Sequence, residues 1–266
     1  MHIGKYLLKK RTNESNFVAM KNTKLTIAQI SDLHIGGGSD LVQDINVREN
    51  FRQALYSPSV EACDLVFLSG DLTDDGSIDG YEFVKREMEK RGKPWKFIIG
   101  NHDDYGNCFQ IFEKGKECPF ENTYDYVFEC NGYRFVCLDT SKGVVTKEQF
   151  DWLREQDKVP GEFFLLTHYP PCICGHKFMD PRHALKGIEE TQAVLAELKN
   201  LKHIFCGHYH SKYCITLPSG QTVHVAPPTQ MQIDPEKETF SLKTIEPAWQ
   251  VIRFGEGEPQ VEVFGE

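Results

Sequence analysis

An α/β fold follows from three features of this 266-residue sequence. Short apolar runs alternate with longer amphipathic stretches, which suggests a sheet with helices on its faces. Each run ends in a polar cluster, as strands do where they leave a core. Turn signals for three antiparallel hairpins break the alternation, and two packed sheets accommodate both patterns. The length suits one large domain or two small ones. No repeat, low-complexity linker or composition break marks a boundary.

The elements follow in chain order. The first residues carry Lys5, Lys9, Lys10, Arg11, Lys21 and Lys24 and lack the apolar stretch of a secretory signal. Residues 1–23 are therefore expected to be an extension ahead of the first strand. Residues 25–30, 65–68, 97–99, 163–166 and 203–206 are the five apolar runs. They are short, partly β-branched or aromatic, and bounded by Gly, Pro, Asp or Ser, which reads as buried strand. Helices are expected over 47–56, 81–91, 147–156 and 188–198, and Thr146 with Gln149 fits a capping box for the third. Asn131-Gly132 between 124–130 and 133–138 is a type I′ turn signal. Further hairpins are expected at Pro218-Ser219-Gly220 and within 255–259.

Charge and cysteine content narrow the function. The formal net charge is -9. An acidic chain gains little from long-range attraction to a nucleic acid polymer or an anionic membrane, so neither is an expected partner. No run reaches membrane-spanning length. Nine cysteines without a signal peptide suit a reducing, cytoplasmic setting. If the substrate carries phosphate, bound metal ions are the natural local positive charge.

The polar clusters after the five runs are Asp32 and His34; Gly70 and Asp71; Gly100, Asn101, His102 and Asp103; His168; and Gly207, His208 and His210. Ligands gather beyond the carboxyl ends of strands in α/β sheets, so these side chains are expected along one sheet edge. Imidazole with carboxylate suits zinc, iron or manganese better than calcium. Asp-x-His and His-x-His put alternate side chains on one side of an extended segment. The glycines at 70, 100 and 207 are expected to let the backbone turn off each strand. Singly, each motif is ordinary: Asp-x-His is usually a surface accident, Gly-Asn-His-Asp a polar turn, His168 a satisfied loop histidine. The order and placement of all five carry the argument.

Together, Asp32-Leu33-His34, Gly70-Asp71, Gly100-Asn101-His102-Asp103, His168 and Gly207-His208-Tyr209-His210 resemble the calcineurin-like metallophosphoesterase superfamily. The motifs run from 32 to 210, with no position of the pattern substituted. The resemblance implies a four-layer αββα sandwich, two mixed β-sheets flanked by helices, over residues 24–266. It implies one ion held by Asp32, His34, Asp71 and His210, and a second by Asp71, Asn101, His168 and His208. Asp71 then bridges two transition-metal ions (Mn, Fe or Zn), which can share a hydroxide for in-line attack on a phosphodiester. It casts His102 as the group that protonates the leaving alkoxide, a task an imidazole performs near neutrality; the alternative is an orienting role.

A narrower resemblance, to class III cyclic nucleotide phosphodiesterases, rests on Gln29-Ile30-Ser31, Thr167-His168-Tyr169-Pro170-Pro171, Met179-Asp180, Leu185-Lys186 and Ala226-Pro227-Pro228-Thr229-Gln230. Cys172-Ile173-Cys174 departs from that pattern. The implied substrate is a small phosphodiester, with 3′,5′-cyclic nucleotides first. Another small phosphodiester, such as a glycerophosphodiester, or a phosphomonoester is the alternative. A retired binding scaffold is disfavoured because every ligand position is filled. Self-association as a homodimer is left open.

The remaining candidates have ordinary readings. Asp103 either orients His102 or caps the next turn. Asp74 and Asp75 read as turn residues, Asp139 as a loop hydrogen-bonding group, and His183 as a surface histidine. Cys172, Cys174 and His176 cannot close a structural zinc tetrahedron alone and read as loop packing. Cys63, Cys137 and Cys206 read as small core residues.

Overall fold

The computed structural model describes residues 24–112 and 118–265; the expected extension, residues 1–23, lies outside the described residues. Strand β1 (Leu25–Ile30) leads through a small hairpin, β2 (Leu41–Val42) and β3 (Ile45–Asn46), into α1 (Val47–Leu55) and α2 (Pro58–Glu61). Next come β4 (Leu65–Ser69), α3 (Ile78–Arg91), β5 (Trp95–Ile98) and α4 (Tyr105–Phe112). The hairpin β6 (Tyr126–Cys130) and β7 (Tyr133–Leu138) precedes α5 (Lys147–Asp157), β8 (Phe163–Thr167), α6 (Asp180–His183), α7 (Ile188–Glu197) and β9 (Leu201–Cys206). Strands β10 (Tyr213–Thr216), β11 (Thr222–Val225), β12 (Gln232–Ile233), β13 (Leu242–Thr244), β14 (Trp249–Phe254) and β15 (Gln260–Phe264) complete the chain.

Two mixed sheets result, one in the order β15-β14-β1-β4-β5 and the other β10-β11-β9-β8-β7-β6. Their side chains alternate between two environments, as the period of a strand requires. Leu25, Ile27, Leu65 and Phe67 of the first sheet meet Phe135, Phe164, Leu166 and Phe205 of the second in a core between the sheets. Burying each such phenylalanine contributes about 2–3 kcal/mol. Ala28, Ile30, Val66 and Leu68 face the other way, onto Phe51, Tyr81, Val84 and Met88 of the first helical layer. Val136, Leu165 and Ile204 face Phe150, Leu153, Val194 and Leu195 of the second. The four-layer αββα sandwich is therefore built by alternation within each strand.

Local chemistry sets the element ends. Ser77 caps α3 through the Gly80 amide, and Gly92, at φ 71°, ends it. Thr146 and Gln149 form the expected capping box on α5. Asn131 and Gly132 both have positive φ, as the type I′ turn requires. Helix α4 was not expected, since Tyr-Gly-Asn-Cys-Phe is a weak helix former. Asp104 accepts from the Asn107 amide at its start, and Phe112 packs on Trp95 and Phe97, so tertiary contacts override propensity.

Near one end, polar groups replace the apolar core between the sheets. Gln29 Nε2 donates to Ser69 Oγ and to the Cys206 carbonyl of the opposite sheet, 3.0 Å each. Gln250 Nε2 donates to Gln29 Oε1 at 2.7 Å. This buried network joins the sheets directly beneath the residues that follow β1, β4 and β9.

Candidate metal centre

The five polar clusters converge, but not along one sheet edge. Strands β1, β4 and β5 run parallel in the first sheet, β8 and β9 parallel in the second. Their carboxyl ends face each other across the gap, so the site is a seam between two sheets.

Three groups of ligand-type atoms lie there within 4.8 Å of one another: Asp32, His34 and His210; Asp71, His168 and His208; and His34, Asp74 and His102. Asp71 Oδ2 is 3.5 Å from His34 Nε2 and 3.3 Å from His168 Nε2, so it joins the first two groups. Asp32 Oδ1 lies 3.6 Å from His210 Nε2, and both Asp32 oxygens accept from the His208 amide at 3.1 Å. Asp32, His34, Asp71, His168, His208 and His210 are all buried. Asn101 and His102 are exposed on the turn after β5.

The tautomers follow from the hydrogen bonds. His34 Nδ1–H donates to Asp74 Oδ1 at 3.0 Å and His210 Nδ1–H to the Met231 carbonyl at 2.9 Å. Two ring lone pairs then face each other, His34 Nε2 and His210 Nε2 being 3.1 Å apart. Only a shared proton or a cation makes that arrangement favourable. His168 Nδ1–H donates to the Ser69 carbonyl at 2.9 Å, and its Nε2, buried, forms no hydrogen bond. His208 Nε2–H donates to the His183 carbonyl at 2.8 Å, which leaves Nδ1 as the atom that could hold a metal.

Electrostatics agree. Burial disfavours charge on Asp71, yet the imidazoles of His168 and His34 hold its carboxyl well below the usual range. Burial pushes His168 down, but Asp71 outweighs it and raises the imidazole to about 9. Burial, with His168 adding to it, keeps His208 well below the usual imidazole range, and burial lowers His210. The Asp71 charge keeps a proton on His168 when no metal is bound; a transition metal would take that proton's place, beside the neutral imidazoles of His208 and His210 and the buried carboxylates of Asp32 and Asp71, so these residues fit a dinuclear metal centre.

The backbone carries a further mark. Asp32, His34, Asp71, His208 and His210 all have positive φ, between 47° and 70°. Each left-handed non-glycine residue costs about 1 kcal/mol or more. Sequence reasoning had the neighbouring glycines make the turns. Gly70, at φ 96°, does so. Gly100 and Gly207 instead permit close approach: a Cβ on Gly100 would collide with Asp71 and His168, and one on Gly207 with Ser31 and Asp32.

Two further assignments need correction. The Asp103 carboxylate does not orient the His102 ring. It accepts from the amides of Leu72, Thr73 and Gly100 and from the hydroxyls of Thr73 and Tyr81. It thereby pins the turn after β4 to the turn after β5, and burial with the nearby Asp71 charge raises it to about 6. The group that orients His102 is the Asp74 carbonyl, which accepts from Nδ1–H at 2.9 Å. The Asp74 carboxylate also backs His34, a role its reading as a turn residue missed; a carboxylate behind a ligating histidine raises its basicity. Asp103→Ala is expected to lower unfolding stability by about 3 kcal/mol, because buried amides lose their acceptor. Denaturant titration checks this, and a loss under about 1 kcal/mol would remove the pinning role.

Outside the centre, Asp139 accepts from the Tyr124 and Ser141 amides, a loop role as expected. His183 is a surface histidine whose carbonyl, not its ring, serves the site. Cys63, Cys137 and Cys206 are buried. No helix among the described residues is long and apolar enough to cross a membrane.

Comparison with known proteins agrees with this geometry. The model of the calcineurin-like phosphoesterase family matches residues 25–212. A probable cyclic nucleotide phosphodiesterase of Fibrobacter succinogenes is 43% identical, covering 92% of this chain and 95% of that protein. A probable glycerophosphodiester phosphodiesterase of Arcobacter nitrofigilis is 28% identical, covering 84% and 86% respectively. The crystal structure of a dimetal phosphatase from Danio rerio superposes with a TM-score of 0.64 at 15% identity, over 89% of this chain and 98% of that one, a likeness of fold. The matched family model and the long relative show that this chain belongs to the calcineurin-like phosphoesterase family of metal-dependent enzymes.

Proposed function

We propose that the segment from residue 24 onward is one phosphodiesterase domain. It holds two transition-metal ions (Mn, Fe or Zn), one by Asp32, His34, Asp71 and His210, the other by Asp71, Asn101, His168 and His208. Its substrates are small phosphodiesters, with 3′,5′-cyclic nucleotides first. The observation that carries this is the position of Asp71 Oδ2 between His34 and His168, which joins two histidine–carboxylate groups.

When bound, the ions supply Lewis-acid polarisation of the phosphoryl group and activation of water. The protein's own groups then do the following. Asp71 offsets the charge of both metal positions with one carboxylate, and its Oδ1 accepts from the His102 amide at 2.9 Å, which fixes the turn beside it. The His102 ring stands edge-on to His34, 4.6 Å between centroids. With Nδ1–H held by the Asp74 carbonyl, Nε2 is the atom that passes a proton to the leaving alkoxide. The Fibrobacter relative supports cyclic nucleotides; the Arcobacter relative favours glycerophosphodiesters as the second reading. The acidic balance of the chain disfavours a polynucleotide, and nine cysteines suit the cytoplasm.

A substrate panel on manganese-loaded protein tests the assignment: cyclic AMP, cyclic GMP, a 2′,3′-cyclic nucleotide, glycerophosphodiesters and phosphomonoesters. The 3′,5′-cyclic nucleotides are expected to give the highest kcat/KM. A large preference for a glycerophosphodiester moves the assignment to the second reading, and one for a monoester overturns both.

A further inference from the structure

We propose that Cys172 and Cys174 are a disulfide-forming pair, and that its oxidation by a small-molecule disulfide displaces the segment bracing the metal centre and slows hydrolysis. The two Sγ atoms already touch, at 4.0 Å. A disulfide bond is about 2.05 Å long, so the sulfurs must close roughly 2 Å. The backbone around Cys174 is suited to move: Ile173 is exposed, and Gly175 has φ 86°. Cys172 is buried in the outer core of the second sheet, whereas Cys174 is only half-buried. Among the described residues no third histidine, cysteine or carboxylate joins this pair within metal-binding reach, which favours a disulfide over a bound metal.

The segment holding the pair is tied to the site at several points. The amides of Cys174 and Gly175 donate to Asp180 Oδ1 and Oδ2, at 3.0 and 2.7 Å. Tyr209, buried between His208 and His210, donates its hydroxyl to Asp180 Oδ1 at 2.9 Å. Upstream, the Tyr169 ring lies 3.8 Å from the His208 ring, centroid to centroid. Downstream, the His183 carbonyl accepts from His208. Drawing Cys174 toward Cys172 pulls its amide off Asp180 and loosens the hold on Tyr209 and thereby on both flanking histidines.

The chemistry balances with oxidised glutathione as oxidant. The Cys174 thiol, the less buried of the two, gives up its proton as its sulfur attacks one glutathione sulfur, forming a mixed disulfide and releasing one glutathione thiolate. The Cys172 thiolate then attacks Cys174 Sγ, forms the intramolecular bond and displaces the second glutathione. The two protein thiols lose their protons and two electrons, and one glutathione disulfide becomes two thiols. A Cys-x-Cys bridge closes a small ring, and strained bridges are the readily reduced ones.

The test treats manganese-loaded protein with oxidised glutathione, blocks remaining thiols with N-ethylmaleimide, and maps the cysteines by mass spectrometry without reduction. The peptide carrying both residues is expected to have lost two hydrogens and to resist alkylation. Hydrolysis of bis(p-nitrophenyl) phosphate should fall by about tenfold or more, since ångström-scale displacements near a site cost rates of this order. Dithiothreitol should restore it, and Cys174→Ser should keep its rate through the same treatment. Alkylation of both residues after oxidation, or an equal loss of rate in Cys174→Ser, would overturn the proposal. The mapping needs no variant, so it decides the disulfide even if Cys174→Ser fails to fold. The generic substrate keeps the result separate from the natural substrate.

Discussion

Asp71→Ala is expected to release at least one metal ion and to cut phosphodiester hydrolysis by about a thousandfold. Asp71 is buried, and its Oδ2 stands between His34 and His168. Removing the charged partner from a buried cluster costs about 3–5 kcal/mol, and 4 kcal/mol is about a thousandfold in rate or affinity. The carboxylate is also the only group assigned to both ions, so two cations would face each other without it. Its Oδ1 further anchors the His102 amide. Asn101→Ala should do less harm, because Asn101 is neutral, exposed and assigned to one ion. Metal analysis of both variants after gel filtration, with kcat/KM, decides the matter. Equal metal retention in the two would remove the bridging assignment.

The second large effect concerns His102. An acid matters in proportion to how badly the leaving group needs a proton. A ribose alkoxide is strongly basic, whereas nitrophenolate departs unaided. His102→Ala should therefore slow a cyclic nucleotide by about 10²–10⁴, the usual worth of a positioned acid, and bis(p-nitrophenyl) phosphate much less. Metal content should stay near that of the unmodified protein, since His102 is not an assigned ligand. If the ring merely orients the His34 it stands against, both substrates should suffer alike and metal binding should weaken. Rates on the two substrates at matched metal occupancy separate these outcomes, and equal losses would sink the acid role.

Which parts of this site the sequence reveals depends on how local the cause is. Strand β1 was read to its last residue because burial, β-branching and the following Ser-Asp all act within it. Helix α3 begins three residues before its expected start, since Gly80 argues against a helix that the Ser77 cap nonetheless nucleates. The candidate ligands were legible because each follows a strand, a one-dimensional cue. That two sheets share them was not, because pairing joins residues as distant as Leu25 and Phe254. Adjacency to His102 could not decide between the two readings of Asp103: neighbours on a tight turn point apart, and its partners Leu72 and Thr73 lie on another turn. Asp74 was passed over for the same reason, its contact to His34 spanning 40 residues.

The left-handed backbone at Asp32, His34, Asp71, His208 and His210 sets stability against function at the same five positions. At His34 and His210, where two ring nitrogens oppose each other at 3.1 Å, glycine would relieve both the left-handed backbone and that contact and, without metal, would be favoured by a screen that rewards only resistance to heat or protease. Each such change would also delete a side chain of the centre. A library of this protein sorted for thermal tolerance in the presence of chelator should therefore drift toward inert variants. The same library sorted with manganese present would be held back, because binding only to the folded form returns stability to chains that keep their ligands.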